Sequence, residues 1–479
     1  MAVVYHHHQQ LILLNLQQQY SSTSLPPSRC HKSFPFRYPP PSIYHDVNGL
    51  ALQQFVKQLI DFCSVEELVQ PSFDSKLILS YMMTTMTRDA TESAATTVSK
   101  RIIHDILRYI HVSDQYMALS SLLFKSWICH EWEYYDKNRN TLSSSFLMDY
   151  DTCDSSSMCN DNNTTNSYRH QKYKPKKIMI LPRTDRGKPY IPSYRDNRHS
   201  SMDISISHQY PFVGLAINTS SPSMKHTQLN TSTHDNTANQ QGTTTTATRI
   251  GLDIVQFHSH VGVMQRLYNH SWIEFLETYR PYFTVWEWSH IRSGVLSTSS
   301  SATTDILTPS ILEFYLRWAM KEAYSKALGL GFHVPFHSFE IRLLCLLLKT
   351  KEEENDVPRR DLKEDEYISN MLWNYCILTP VEEHQQQQFI SFLGRVYHKN
   401  DKEEDLNPTI ESWIFHFIPL KNKNDERTYN NSDMVTGCAC ICVPQNENDT
   451  AGQLLSSTNF SVSYVTLSQL IDYHILPKK

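Results

Sequence analysis

Apolar positions recur at helical spacing between Lys76 and Ile110, where Ile102, Ile103, Ile106, Leu107 and Ile110 fall on one stripe. The same spacing predicts helices over Trp272 to Trp288 and over Ile311 to Leu328, the second stopped by Gly329-Leu330-Gly331. Strand character marks Ile204 to Ile217, with Ser207-His208 set at a turn ahead of Phe212-Val213-Gly214-Leu215-Ala216-Ile217. It marks Ile250-Gly251-Leu252-Asp253-Ile254-Val255, Phe339 to Leu348 and Gly437 to Val443 as well. The chain between Ile217 and Ile250 reads as the loop of a long hairpin. Helices and strands recurring on both sides of that loop predict an α+β fold.

Between these segments lie stretches that cannot bury enough apolar surface to order themselves. Asn138 to Tyr168 is rich in Ser, Asn and Asp, Thr219 to Thr248 in Thr, Asn and Gln, and Ser297 to Thr304 in Ser and Thr. Lys349 to Glu366 is a charge run, Gln385 to Gln388 a glutamine tract and Lys421 to Asp433 a polar loop. Of 479 residues, roughly 300 then remain as core, enough for one or two domains. A hydrophobic fraction of 40%, charged residues at 19% and a mean hydropathy of −0.45 agree with polar filler between folded parts. Only 12 glycines exclude collagen-like and Gly-rich classes, and no apolar run approaches the roughly 20 residues of a membrane helix.

The net charge of −5 argues against wholesale nucleic-acid binding. Ten cysteines, most of them scattered singly, do not form a secreted disulfide framework and fit a reducing compartment. Cys438, Cys440 and Cys442 alternate, so they share one face of a strand, and a buried strand is expected there rather than a metal site. Residues 1–48 are expected to form a disordered His/Gln/Pro-rich tail, its Leu11 to Leu16 run being too short for a secretory signal and its few basic residues leaving a mitochondrial presequence as the weaker alternative.

Three segments carry candidate chemistry in their residues alone. From Lys172 to Arg198 the chain holds nine basic residues against two acidic ones. In isolation that is a solvated loop, but Arg183-Thr184-Asp185-Arg186-Gly187-Lys188-Pro189 gathers two guanidiniums and an ammonium around a Gly-Lys-Pro turn, able to grip several phosphates. Asp253 sits among Ile250, Leu252, Ile254 and Val255, where a carboxylate needs a partner: either hydrogen-bond donors or a hard cation. In Trp318-Ala319-Met320-Lys321-Glu322-Ala323-Tyr324-Ser325-Lys326, Glu322 and Lys326 share a helix face at i, i+4, a spacing that by itself gives only a surface ion pair.

In this order the segments resemble the Sfp-type 4′-phosphopantetheinyl transferases, specifically the eukaryotic branch that acts with aminoadipate-semialdehyde dehydrogenase. Arg183 to Pro189 is similar to the family's GKP segment, Ser205-Ile206-Ser207-His208-Gln209 to N-[IV]-S-H-[SQ], Ile250 to Ile254 to [IV]-G-[IVL]-D-[IVL], and Trp318 to Lys326 to W-x-x-K-E-[AS]-x-x-K. Thr87-Arg88-Asp89-Ala90 resembles the arginine-bearing helix start that precedes them. The resemblance implies two similar α+β halves with coenzyme A at their interface, divided near Thr248: residues 49–248 with insertions near 138–172 and 219–248, then 249–420, with 421–479 as a polar loop and extension. It implies transfer of the phosphopantetheine arm of coenzyme A to a serine of an apo carrier domain, releasing adenosine 3′,5′-bisphosphate (holo-[acyl-carrier-protein] synthase activity).

By that resemblance, Arg88, Arg183, Thr184, Arg186, Gly187, Lys188, Ser205, Ser207 and His208 hold coenzyme A, together with Glu322 and Lys326. Asp253 and Glu322 ligate Mg²⁺, Lys326 offsets leaving-group charge, and Glu322 accepts the proton of the incoming serine. The implied partners are carrier domains of a fatty-acid synthase, of polyketide or peptide synthetases, or of an aminoadipate reductase in lysine biosynthesis, with a monomer acting in the cytosol and neither nucleic acid nor membrane involved. The sequence departs from the family at Ser205, where Asn is usual, at Val255, where bacterial members often carry a third acidic ligand, and in the length of the 219–248 insertion. A silent relative that only binds carriers should have lost Asp253, Glu322 or Lys326, and all three are present. A nucleic-acid binder should interleave varied stacking aromatics with the basic run, where only tyrosines stand.

Overall fold

A computed structural model describes residues 8–16, 50–67, 88–138, 175–191, 202–219, 249–257, 271–296, 309–344, 389–398, 410–421, 435–445 and 459–475. The polar stretches 139–174, 220–248, 297–308 and 345–388 lie outside them. Helices and strands are both abundant, so the fold is α+β. The chain divides into two compact units, one of residues 1–24 and 183–465, the other of 25–182 and 466–479. Thr248 falls inside the first. No helix among the described residues is long and apolar enough to cross a membrane.

The first unit holds two sheets. One is built from β1 (His8–Asn15), β4 (Met202–Gln209), β5 (Phe212–Thr219) and β11 (Asn459–Tyr464), in the order β11-β1-β5-β4. The other is built from β6 (Gly251–Gln256), β7 (Phe339–Leu344), β8 (Ile390–His398), β9 (Ile410–Lys421) and β10 (Val435–Pro444), in the order β6-β10-β9-β8-β7. Helices α4 (Trp272–Tyr279), α5 (Val285–Leu296) and α6 (Pro309–Ala327) complete the unit.

The expected tail therefore contains a strand. Leu11, Ile12, Leu13 and Leu14 are fully buried because β1 is paired on both edges, to β5 and β11, and covered on both faces. Each such side chain contributes about 1.5–3 kcal/mol on burial. The Ser205 to His208 segment is a strand rather than a turn; the turn comes after it, at Tyr210-Pro211, a cis peptide bond. The expected hairpin between β5 and β6 is absent from the pairing, since β6 pairs antiparallel with β10, opposing Asp253 to Cys440.

Strand β10 shows how the period of two builds the unit. Cys438, Cys440 and Cys442, all fully buried, pack on one face with Ile311, Tyr315, Ala319 and Ala323 of α6. Ala439, Ile441 and Val443 face the other way, into a cluster with Leu11, Leu13, Phe212 and Ala216 of the first sheet. The cysteines are unbridged and serve as small core residues. The helical segment expected over Trp272 to Trp288 is broken into α4 and α5 by a 3-10 turn at Arg280–Tyr282, which contains Pro281.

The second unit contains α1 (Leu50–Cys63), β2 (Val65–Glu67), α2 (Arg88–Leu107), α3 (Val112–Asn138), β3 (Ile178–Ile180) and α7 (Leu467–Ile475). β2 and β3 form a short parallel pair. Ile102 and Ile106 of α2 are buried as their spacing predicts, whereas Ile110 lies beyond the helix end and is exposed. The buried ring of His474 bonds to the Leu470 carbonyl at 2.7 Å and to Ser126 Oγ at 2.8 Å, and Ser126 Oγ also accepts the Met179 N–H at 2.9 Å. Burial holds this imidazole down to about 3, so it stays neutral and ties α7, α3 and β3 together.

Candidate active site

The site lies within the first unit, where α6 crosses β6. Contact is direct: a Cβ on Gly251 would stand 1.8 Å from the Ala323 carbonyl oxygen and 2.6 Å from the Ala327 nitrogen. Only glycine lets the helix backbone lie on the strand there. Asp253, two residues on and so on the same face of β6, then meets the helix at Lys326. Lys326 Nζ lies 2.6 Å from Asp253 Oδ1, 3.1 Å from Ser207 Oγ and 4.0 Å from Glu322 Oε2. Ser207 Oγ donates to Asp253 Oδ1 at 3.0 Å. Sequence segments more than a hundred residues apart thus converge on one carboxylate.

Charge at the site follows from burial. Burial pushes the Glu322 carboxyl up to about 7, with Lys326 pulling it down and Asp253 adding to the rise. Burial alone would lower the Lys326 ammonium, yet the Asp253 and Glu322 carboxylates together outweigh it and hold its pKa above the ordinary value. Two carboxylates facing one lysine, one of them strained by burial, suit a hard divalent cation that takes one or two carboxylates plus phosphate and water. Asp253 and Glu322 are the residues that could hold such a cation. Among the described residues there is no group of three or more His, Cys, Asp or Glu placed to hold a metal, and Val255 is packed in the apolar core beside α6.

Strand β4 reaches β6 through side chains rather than backbone. Asp203 Oδ2 accepts the Ile250 N–H at 2.7 Å, Ser205 Oγ the Leu252 N–H at 2.9 Å and Ser207 Oγ the Ile254 N–H at 3.2 Å, and Gln209 Oε1 accepts the Gln256 N–H. These alternate residues replace a neighbouring strand along the open edge of β6. Ser205 and Ser207, expected to hold coenzyme A, are therefore engaged inside the protein and buried. His208, by strand alternation on the opposite face, is exposed.

The basic turn divides similarly. Arg183, Thr184, Asp185, Arg186 and Gly187 are exposed, in a turn closed by the Thr184 N–H to the Lys188 carbonyl (2.8 Å) and the Lys188 N–H to Thr184 Oγ1 (3.1 Å). Their charges are open to an anion. Lys188, also expected to hold phosphate, points inward, its Nζ donating to Asp203 Oδ2 (2.6 Å), the Ile250 carbonyl (3.1 Å) and the Ala327 carbonyl (3.3 Å). Arg88 is the first residue of α2, in the second unit.

Two groups carry weight that sequence reasoning does not assign. Asp203 is one, signalled only by the alternation Asp203, Ser205, Ser207, Gln209. The other is the fully buried pair Lys321 Nζ–Glu287 Oε2 at 2.9 Å. Lys321 also donates to the Phe336 and Phe339 carbonyls at 2.7 Å each, while Glu287 accepts the Thr284 and Ile341 N–H groups. Thr284 and Glu287 form a reciprocal cap on α5. Lys321, one position before Glu322, thereby anchors α6 on α5 and β7.

Residues 249–366, which contain Asp253, Glu322 and Lys326, match the family model of the 4′-phosphopantetheinyl transferase (ACPS) superfamily. The chain is also similar to a phosphopantetheinyl transferase of Thraustochytrium sp. (strain ATCC 26185 / S-3), 29% identical over 143 residues, which is 28% of this chain and 42% of the relative. The match thus spans less than half of that relative's length. Both similarities are to phosphopantetheinyl transferases.

Proposed function

We propose that the protein transfers the 4′-phosphopantetheine arm of coenzyme A to a serine of apo acyl- or peptidyl-carrier domains, releasing adenosine 3′,5′-bisphosphate. The observation that carries this reading is the convergence of Asp253, Glu322 and Lys326 where α6 lies on Gly251, inside the segment similar to the superfamily. Mg²⁺, when bound by Asp253 and Glu322, would neutralise charge on the pyrophosphate. Lys326 stays cationic and offsets negative charge as the leaving phosphate departs. Glu322, with a carboxyl poised at about 7, is matched to taking the serine proton near neutral pH. Arg183 and Arg186, exposed beside the turn, are suited to fork-shaped contacts with the 3′-phosphate and pyrophosphate.

The motif order further supports membership of the Sfp type and its aminoadipate-semialdehyde dehydrogenase branch. On that reading the protein is a monomer of the cytosol that loads carriers of fatty-acid, polyketide or peptide synthases or of an aminoadipate reductase. Incubation with coenzyme A, Mg²⁺ and a panel of apo carriers, followed by intact mass, tests the proposal. A phosphopantetheine adduct on the carrier serine is expected in the presence of the metal and lost with a chelator. No adduct on any carrier would overturn it.

A further inference from the structure

The strongest feature that the proposed chemistry does not absorb is the inward lysine of the basic turn. We infer that Lys188 is a positioning residue: together with Asp203 it clamps the start of β6 to the end of α6, setting Asp253 against Lys326 and Glu322, and it does not bind coenzyme A phosphate. The inference rests on the proposed reaction for what the clamp serves, but its geometry stands independently.

An ammonium has three donors, and all three of Lys188 are taken by protein acceptors, at 2.6, 3.1 and 3.3 Å. The side chain is only 14% exposed. Both backbone groups of Ile250 are captured by the same pair, the N–H by Asp203 Oδ2 and the carbonyl by Lys188. Ile250 precedes Asp253 by three residues. The third acceptor, the Ala327 carbonyl, directly follows Lys326 and is one of the helix-end carbonyls that lack an intrahelical partner, where a cation is favoured.

The helix end is shaped for this contact. Gly329, at φ +69, ends α6 with the Leu330 N–H bonded to the Ser325 carbonyl and its own N–H to that of Lys326. A Cβ at Gly329 would lie 3.3 Å from Lys188 Cδ, so the lysine stem runs along the glycine. Asp203 is moreover the first rung of the side-chain ladder whose third rung, Ser207, touches both Asp253 and Lys326. Swinging Lys188 out to a phosphate would leave Asp203 without its cation and the Ile250 and Ala327 carbonyls without their donor.

The experiment compares Lys188→Met, which keeps the stem, Asp203→Asn, and the double variant, in the full chain. Three quantities are read: Mn²⁺ affinity of the free protein, Kd for coenzyme A without metal, and carrier loading at saturating coenzyme A. Positioning predicts that each single variant weakens Mn²⁺ binding and turnover by about tenfold or more. It also predicts that both leave coenzyme A affinity within about threefold, and that the double variant is no worse than either single, as expected of residues acting as one unit. A phosphate ligand predicts the opposite: Lys188→Met losing coenzyme A affinity at unchanged Mn²⁺ affinity, with Asp203→Asn binding coenzyme A more tightly by well over about threefold because the ammonium is released. That pattern, or additive losses in the double variant, would overturn the inference. Should Lys188→Met not fold, the Asp203→Asn arm decides by the direction of its coenzyme A affinity. Should the wild-type chain load no carrier, the transferase reading fails, while the Mn²⁺ and coenzyme A measurements still decide the role of Lys188.

Discussion

Lys326 Nζ stands 2.6 Å from Asp253 Oδ1 but 4.0 Å from Glu322 Oε2, although Glu322 is its neighbour by one helical turn. The short ion pair is made across the fold, which leaves the Glu322 carboxylate oxygens for other work. An exposed i, i+4 pair would contribute under about 0.5 kcal/mol and nothing to turnover. If Glu322 instead holds the metal and takes the serine proton, Glu322→Gln lowers carrier loading by roughly 10²–10⁴-fold with an unchanged circular dichroism spectrum. Loading within about tenfold of wild type would return Glu322 to an ordinary salt bridge.

The same residue makes stability depend on pH, and the sign is fixed by its environment. Its carboxyl is raised from 4.5 to about 7 by burial, so between those values the folded chain binds more protons than the unfolded one. Stability from this group is full below 4.5 and is lost as pH rises through about 7. Asp253 and Lys326 face it at all these pH values. Thermal midpoints of wild type and Glu322→Gln should therefore diverge with rising pH, the variant becoming the more stable of the two above about 7 in metal-free buffer. Parallel curves would mean that Glu322 is already ionised and well solvated.

Much of this site is legible in the amino-acid sequence. Asp253 announces itself because a carboxylate in an apolar strand demands a partner, whereas Glu322 and Lys326 stand out only through the order of the motifs, their i, i+4 spacing alone giving a surface ion pair. Which partners they choose is not legible, since hydrogen bonding between β4 and β6 runs through side chains, at a constant separation of 47 residues, and no local pattern encodes that register. Lys188 shows the limit most clearly. A lysine among arginines in a basic run looks like a phosphate ligand, and only the carbonyls of Ile250 and Ala327, backbone groups invisible to composition, turn it inward. Strand β1 escapes sequence reasoning for a related cause: a strand buried on both faces loses its alternation and becomes a short apolar run.

Gly251 should tolerate no side chain. Alanine there would place a methyl within 1.8 Å of a helix carbonyl, and backbone cannot yield as a flexible side chain can. Gly251→Ala is expected to cost about 1–3 kcal/mol or more by forcing α6 off β6. Turnover should fall further than stability explains, because the displacement separates Asp253 from Lys326. A denaturant midpoint and loading rate equal to wild type would contradict the direct strand–helix contact.

Arg183 faces solvent in the turn, with no role in the core. Arg183→Ala should weaken coenzyme A binding by about tenfold or more through the loss of a charge-assisted contact, while the thermal midpoint stays put. The effect should shrink as salt is raised, since exposed charges are screened. Calorimetric titration with coenzyme A at two ionic strengths checks both, and an unchanged Kd at low salt would remove Arg183 from the binding surface.

The Asp253–Lys326 pair serves the fold and the reaction in separable ways. Asp253 is buried, so Asp253→Ala leaves Lys326 with a carboxylate only at 4.0 Å and Ser207 Oγ without its acceptor. Breaking a buried pair from one side typically costs about 3–5 kcal/mol, whereas replacing both partners by apolar groups is often neutral. Asp253→Leu combined with Lys326→Met should therefore recover much of the stability lost in Asp253→Ala, as read by urea midpoints. Loading should recover in neither, since both lack the carboxylate that would hold Mg²⁺ and one also lacks the cation that meets the departing phosphate. Recovery of activity along with stability would show the pair to be a structural brace, and the metal assignment would pass from Asp253 to another residue.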